Sequence, residues 1–312
     1  MRLSGTSFAA MLAIAVPAFA DAPQIAVDIP AVHSLVAQVT GDIATPALVM
    51  QAGASPHGYS MRPSEAQSLS EADVIFWIGE ALEPWLAGSI GKLAPDAVSV
   101  ELLEAEGTTT FPFRDSAIHG HEEHDHDDHG HDHHGHDHGD GVDPHAWLDP
   151  ENAAIWLDVI ARELAELDPD RANTYAKNAE AAKADLVVLR EELTAQLAPI
   201  SEQPFVVFHD AYQYFEHRFG LTSLGAISLG DASAPSPARI AELQHEIEHE
   251  GIVCVFSEPQ FNAGLVDAVT GGTEVAHGVL DPVGADIPAS QDFYATLLRD
   301  IAANAVECLA KD

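Results

Sequence analysis

Short, nearly continuous apolar runs alternate with amphipathic stretches along the first part of the chain. The runs "QIAVD" (24–28), "PALVMQ" (46–51) and "DVIFWIG" (73–79) are predicted strands. Between them, "AVHSLVAQVTG" follows Pro30 and "PSEAQSLSEA" begins at Pro63, and proline at the first position is typical of a helix start. Apolar strands separated by helices predict a parallel sheet that is covered on both faces.

A long helical pattern follows from Pro150 to about Leu197. Its leucines recur three and four residues apart, at positions 186, 189, 193 and 197. A helix of about 30 residues spans about 45 Å. That length is unusual inside one globular domain and is natural for a connection between two.

Strand and helix signals alternate again after this connection. The predicted strands are "PFVVFHD" (204–210), "LTSLGAISL" (221–229), "IVCVFSE" (252–258) and "TEVAHGVLDP" (273–282). We therefore predict an α/β fold with two lobes, each a mostly parallel sheet with flanking helices. The N-terminal lobe takes residues 21–160, the connecting helix takes 161–200, and the C-terminal lobe takes 201–312.

The first twenty residues are predicted to be a cleaved signal peptide. Arg2 precedes an apolar run that is too short to span a bilayer, and the run ends in Ala18-Phe19-Ala20, a small-x-small cleavage pattern. We expect export and cleavage after Ala20. Because no cysteine stands at the cleavage site, we expect no lipid anchor.

The chain has a formal net charge of -37 at pH 7. This charge disfavours nucleic acids and anionic membrane surfaces as partners, since both are polyanions. It favours the attraction of cations. The mature length of about 290 residues suffices for one large domain or two ordinary ones.

A low-complexity segment, "HGHEEHDHDDHGHDHHGHDHGDG", interrupts the pattern between residues 119 and 141. It has no apolar side chains to bury, so we predict a disordered surface loop over residues 115–142. Its histidines are candidate accessory metal ligands: His119, His121, His124, His126, His129, His131, His133, His134, His136 and His138. Since a tight site needs fixed geometry, we expect this loop to capture or sense metal for a site elsewhere, or to be a dispensable linker.

Four potential metal ligands stand at or just after strand ends or turns. They are His57, His145, His209 and Asp281. Ligands of open α/β sheets bind at the carboxyl ends of strands. Three imidazoles and one carboxylate make an ordinary tetrahedral zinc set, although each residue taken alone is a weak signal.

The chain resembles the zinc-specific solute-binding proteins of bacterial metal ABC importers, the ZnuA type. The resemblance rests on "GASPHGYSMRPS", "DPHAWLDPENA", "FVVFHDAYQYFEHRFGL", "VFSEPQF" and "LDPVG", in this order, and covers essentially the whole mature chain. It implies two lobes joined by a rigid helix, with Zn²⁺ bound in the cleft by His57, His145 and His209. Asp281 or water takes the fourth position.

The same resemblance implies the location and the partner. It implies a monomeric, non-enzymatic receptor in the periplasm that delivers zinc to an ABC permease in the inner membrane. Cys254 and Cys308 are already a disulfide candidate in an exported chain, with two free thiols as the alternative. The resemblance favours the disulfide.

Three further observations leave alternatives open. "HEIEH" (245–249) matches a zinc-protease signature, but its many acids suggest an exposed helix. Glu258 follows a predicted strand and either orients a ligand histidine or caps the next helix. A zinc-dependent hydrolase, with Glu258 as the general base, and an extracellular zinc store or adhesin are the competing functions.

Overall fold

A computed structural model describes residues 22–114, 141–228, 236–262 and 264–310. The predicted signal peptide and the ten histidines from His119 to His138 lie outside these ranges, so those two predictions remain predictions. In the described ranges, no helix is both long enough and apolar enough to cross a bilayer.

The N-terminal lobe is built on a four-stranded parallel sheet in the order β2-β1-β3-β4. Its elements are β1 (Ile25–Val27), α1 (Pro30–Thr40), β2 (Ala47–Leu48), α2 (Pro63–Ser70), β3 (Val74–Trp77), α3 (Pro84–Leu93) and β4 (Val98–Glu101). The strand β4 was not predicted. It is a partly exposed edge strand, so its sequence "VSVE" lacks the apolar run that marks the buried strands.

The C-terminal lobe has a second four-stranded parallel sheet, in the order β6-β5-β7-β8. Its elements are β5 (Phe205–His209), α6 (Gln213–Phe219), β6 (Ser223–Ser228), α7 (Pro237–His249), β7 (Cys254–Ser257), α8 (Gly264–Thr270), β8 (Ala276–Val279) and α9 (Phe293–Leu309). The predicted class of two parallel α/β lobes is confirmed.

Two helices stand where the sequence predicted one long connection. They are α4 (Pro150–Leu167) and α5 (Ala172–Leu197). The break occurs at Asp168, which precedes Pro169 and has a non-helical backbone with φ -135° and ψ 73°. Proline lacks an N–H and disfavours a helical conformation in the residue before it, so the helix ends there.

The helices α4 and α5 pack against each other in opposite directions. Lys183 pairs with Asp158, and Arg190 pairs with Glu151, so residues late in α5 face residues early in α4. The four predicted leucines of α5 are all buried. The connection between the lobes is therefore a helical hairpin whose second helix is 26 residues long.

A continuous hydrophobic core joins the two lobes. It contains residues of both sheets and of the helices α1, α4, α5 and α9. The last helix returns to the N-terminal lobe, where the backbone N–H of Tyr294 donates to the hydroxyl of Ser34 at 3.1 Å. The hydroxyl of Tyr294 donates to the carbonyl of Trp147 at 2.8 Å. The lobes are therefore not independent bodies on a flexible tether.

Ion pairs also cross between the lobes. Arg218 of α6 makes a bidentate contact with the buried Asp149, with N–O distances of 2.7 and 2.8 Å. Asp149 also caps α4 by accepting from the backbone N–H of Glu151. Arg114 contacts Asp210 and Glu216 at 2.8 and 2.6 Å. Bidentate guanidinium–carboxylate pairs fix orientation as well as distance, so they hold the lobes in register.

Cys254 of β7 and Cys308 of α9 form a disulfide, with their Cα atoms 6.1 Å apart. The predicted pairing is confirmed. It ties the last helix to the central part of the C-terminal sheet and closes a loop with a sequence separation of 54 residues.

Two carboxyl groups are buried together at the carboxyl edge of the N-terminal sheet. Asp28 accepts from the backbone N–H groups of Ile29 and Ile78, both at 2.6 Å. Burial raises the pKa of Asp28 to about 6. Burial, together with repulsion from Asp28, also raises the pKa of Glu83 well above its ordinary value. At a pH between the unfolded and folded pKa values, these two carboxyl groups therefore hold protons in the folded lobe that they release when the chain unfolds.

We expect Asp149→Ala to lower the free energy of unfolding by about 2–3 kcal/mol, because it removes a helix cap and leaves the partly buried Arg218 unpaired. Denaturant unfolding measures this change. Glu192→Ala, which breaks the exposed pair with Arg299, is the matched control and should cost far less. Equal losses in the two variants would show that the ion pair between the lobes is no stronger than a surface pair.

The buried carboxyl pair predicts a pH dependence of stability. A raised folded-state pKa contributes stability below the unfolded pKa, and this contribution is lost as the pH rises through the folded value. As the pH rises from about 5 through the folded pKa of Asp28, about 6, wild type should therefore lose more unfolding free energy than Glu83→Gln, whose amide does not titrate. Urea unfolding checks this, with exposed Glu80→Gln as the control. Parallel pH profiles for wild type and Glu83→Gln would contradict it.

Candidate metal centre

Three histidines from both lobes converge in the cleft. His57 lies in the loop after β2, His145 lies just before α4, and His209 is the last residue of β5. The Nε2 atom of His145 lies 3.2 Å from Nε2 of His57 and 3.3 Å from Nε2 of His209. One ligand nitrogen from each ring lies within 4.8 Å of the other two. Within the described ranges, this is the only such three-ligand cluster.

The spacing of these nitrogens matches the needs of zinc. Zinc–nitrogen bonds of about 2.0–2.1 Å at tetrahedral angles place two ligand nitrogens about 3.3 Å apart. His145 and His209 are each 4% exposed, and His57 is half-buried. A pocket that is partly open to solvent adjoins all three rings and is also lined by Trp147, Phe261 and Pro282. The two separations measured from His145 therefore match those of nitrogens bound to one zinc ion.

A carboxylate stands behind each of the two buried histidines. The Nδ1 atom of His145 lies 2.7 Å from Oδ1 of Asp143, which also accepts from the backbone N–H of His145 at 3.0 Å. The Nδ1 atom of His209 lies 2.8 and 2.9 Å from the two oxygens of Glu258. A proton on Nδ1 that is donated to a carboxylate leaves the lone pair of Nε2 free for a metal.

Asp143 was not identified from the sequence. The signal was present, because an acid two residues before a ligand histidine, with Pro144 between them, can turn back onto the ring. Glu258 was proposed either to orient a ligand or to cap a helix. The structure places both of its oxygens against His209, as the orienting role requires.

The His57 loop is held from both lobes. The indole N–H of Trp85 donates to the carbonyl of Pro56 at 2.8 Å. Gly53 has a φ of +75°, and a β-carbon there would stand 3.0 Å from the side chain of Ala285 in the other lobe. A larger residue at position 53 would therefore meet both a strained backbone and the opposite loop.

The carboxylate of Asp281, a predicted metal ligand, accepts hydrogen bonds from neighbouring protein groups. Its Oδ1 accepts from the backbone N–H groups of Val283 and Gly284 and from the side chain of Gln260, and its Oδ2 accepts from Ala285. Asp281 is not part of the three-histidine cluster. The reason is local, since its carboxylate folds back onto the turn that follows it.

The turn shaped by Asp281 still belongs to the centre. Pro282 and Val283 line the cavity, and the carbonyl of Pro282 accepts from the indole of Trp147 at 2.9 Å. Asp281 thus shapes one wall of the cleft and connects it to the N-terminal lobe.

His245 and His249 of the "HEIEH" motif lie on α7, away from the cleft, and both are exposed. No third ligand joins them in a cluster within the described ranges. The arrangement that a zinc protease requires is therefore not found in this part of the chain.

Comparison with known proteins agrees with the geometry. The family model "Zinc-uptake complex component A periplasmic" matches residues 25–308. The high-affinity zinc uptake system protein ZnuA of Paracoccus denitrificans is 44% identical over 97% of both chains, and that of Brucella suis is 42% identical over 92% of both.

Solved structures show the same fold. A crystal structure of ZnuA superposes with a TM-score of 0.77 at 26% identity and covers 93% of this chain and 100% of that chain. A ZnuA deletion mutant with zinc bound gives a TM-score of 0.74 at 25% identity, covering 94% and 100%. The extent of these matches places the chain in the ZnuA family, the periplasmic zinc-binding receptors of bacterial ABC importers.

Proposed function

We propose that this protein captures Zn²⁺ between its lobes with His57, His145 and His209 and delivers it to an ABC permease of the inner membrane. The separations of Nε2 of His145 from those of His57 and His209 carry this proposal, since both match the spacing of two nitrogens bound to tetrahedral zinc. Three imidazoles also suit zinc better than manganese or magnesium. Zinc is the transported ligand and is not converted chemically.

The fourth ligand is proposed to be water. The oxygens of Asp281 already accept four hydrogen bonds within their own turn and from Gln260, and recruitment to the metal would break some of them. An open fourth position next to the cavity also gives a route for zinc to enter and leave.

A hydrolase would need a general base near a metal-bound water. Glu258 was the candidate, but both of its oxygens contact His209. This arrangement favours the receptor. The same proposal includes cleavage after Ala20, location in the periplasm and a monomeric receptor.

Alanine at His57, His145 or His209 should weaken zinc binding by about a hundredfold or more, because each removes one of three protein ligands. Competition with a chromophoric zinc chelator measures the affinity, and exposed His277→Ala is the matched control. Wild-type affinity in both His57→Ala and His209→Ala would place the site elsewhere.

The fourth position can be tested in the same assay with Asp281→Asn, which keeps the size of the side chain. If water is the fourth ligand, this variant should lose much less affinity than the histidine variants, because only the hydrogen bonds within the turn are weakened. A loss as large as that of the histidine variants would make Asp281 the ligand.

Glu258→Gln and Asp143→Asn should each weaken zinc binding by about 10–100-fold while leaving one zinc per chain, because they loosen the orientation of a ligand ring without removing it. Isothermal titration gives both numbers. The exposed Glu202→Gln in the C-terminal lobe is the control. Zinc affinities equal to that of the control would show that the two carboxylates do not contribute to zinc binding by orienting the histidines.

The histidine-rich segment is proposed to be an accessory that captures or senses zinc. Deleting residues 119–140 should leave the tight binding event and remove the weaker equivalents that the segment contributes, because no predicted ligand of the cleft is lost. Zinc titration of the deletion variant checks this. Loss of the tight event would move the primary site into the segment and favour a zinc store.

A further inference from the structure

The helix α7 carries two exposed imidazoles side by side. His245 and His249 are four residues apart, and their ring centroids are 4.2 Å apart with an interplanar angle of 54°. The buried residues of the same helix, Leu243 and Ile247, face the core of the C-terminal lobe. The two histidines therefore lie on the solvent-exposed face of a helix whose opposite face packs against the core of the lobe.

The four-residue spacing of His245 and His249 allows both side chains to bind the same metal ion. Side chains at positions i and i+4 have β-carbons about 5–6 Å apart, so two imidazoles can bind one ion together. The helix does not depend on the metal for its formation. Pro237 occupies its first turn, and the hydroxyl of Ser236 accepts from the backbone N–H of Arg239 at 3.1 Å, which caps the start.

The surrounding charge favours a cation. Glu246, Glu248 and Glu250 are interspersed with the histidines, and Glu242 lies one turn earlier, where it pairs with Arg239 at 2.8 Å. Acidic side chains raise the local concentration of divalent cations. With two protein ligands in place, water completes the coordination of a bound ion.

We infer that His245 and His249 form a second metal site on α7, which binds divalent transition metals such as Zn²⁺ and Cu²⁺ weakly and exchanges them rapidly. Imidazole ligands select these ions over Mg²⁺ and Ca²⁺, which prefer oxygen. The site is separate from the centre between the lobes. The amino end of α7 follows the carboxyl end of β6, so the histidines near its other end lie toward the opposite edge of the sheet.

Histidine modification by diethyl pyrocarbonate, mapped by mass spectrometry on the full chain, tests this site residue by residue. Zn²⁺ and, in a second series, Cu²⁺ are added beyond the amount that saturates the cleft. His245 and His249 should become protected together at these higher concentrations, while the exposed His277 stays reactive. Mg²⁺ at the same concentrations should protect neither.

The variant His249→Gln separates a chelate from two independent histidines. It should raise the zinc concentration that protects His245 by about tenfold or more, since the second ligand no longer acts intramolecularly. The matched variant His277→Gln should leave that concentration unchanged. Equal reactivity of His245 and His249 with and without saturating Zn²⁺ and Cu²⁺ would overturn the site. So would protection of His245 that His249→Gln does not alter.

Discussion

The metal centre depends on the continuous hydrophobic core that joins the two lobes. His57 and His145 belong to one lobe and His209 to the other, and the Nε2 atoms of His57 and His209 lie 3.2 and 3.3 Å from that of His145. Rings from two lobes can meet in this way only if the surrounding protein holds the lobes in a fixed relative position. The packing of α1, α4, α5 and α9 does this by burying apolar surface between the lobes.

Two buried carboxylates also support the candidate metal centre. Asp143 and Glu258 are 1% and 3% exposed, and each contacts the Nδ1 atom of one ligand histidine. Buried carboxylates are costly without a compensating partner. A dication bound at Nε2 of the two rings, as proposed above, would compensate both charges through the imidazoles. The same two carboxylates therefore orient the rings and favour a doubly charged ligand.

The histidines of the cleft and those of α7 differ in how many structural elements hold their side chains in place. In the cleft, contacts from both lobes position three rings and two carboxylates orient two of them, which is suited to tight and selective binding. On α7, a helix presents two rings to solvent, and this is suited to weak and rapidly exchanged binding. A single residue type thus supports binding of very different strength, according to the number of elements that hold it.

The sequence by itself determined the two parallel α/β lobes, and its motifs pointed to the three histidines that meet in the cleft and to the disulfide. Nearly continuous apolar strands mark buried sheets wherever they occur, and the motifs around His57, His145 and His209 are local signals. The sequence did not mark β4, because an exposed edge strand needs little apolar sequence, and it suggested one connecting helix where Pro169 separates two.

Only the tertiary structure decided which side chains support the metal centre. The orienting contact of Asp143 and the turn made by Asp281 depend on the backbone conformation of each loop, which the position of Asp143 two residues before His145 allows but does not determine. Asp281 and Asp143 have the same chemistry in the sequence. Asp281 accepts hydrogen bonds from the turn that follows it, whereas Asp143 orients the ring of His145. The difference arises because the backbone around each residue directs its carboxylate toward different donors.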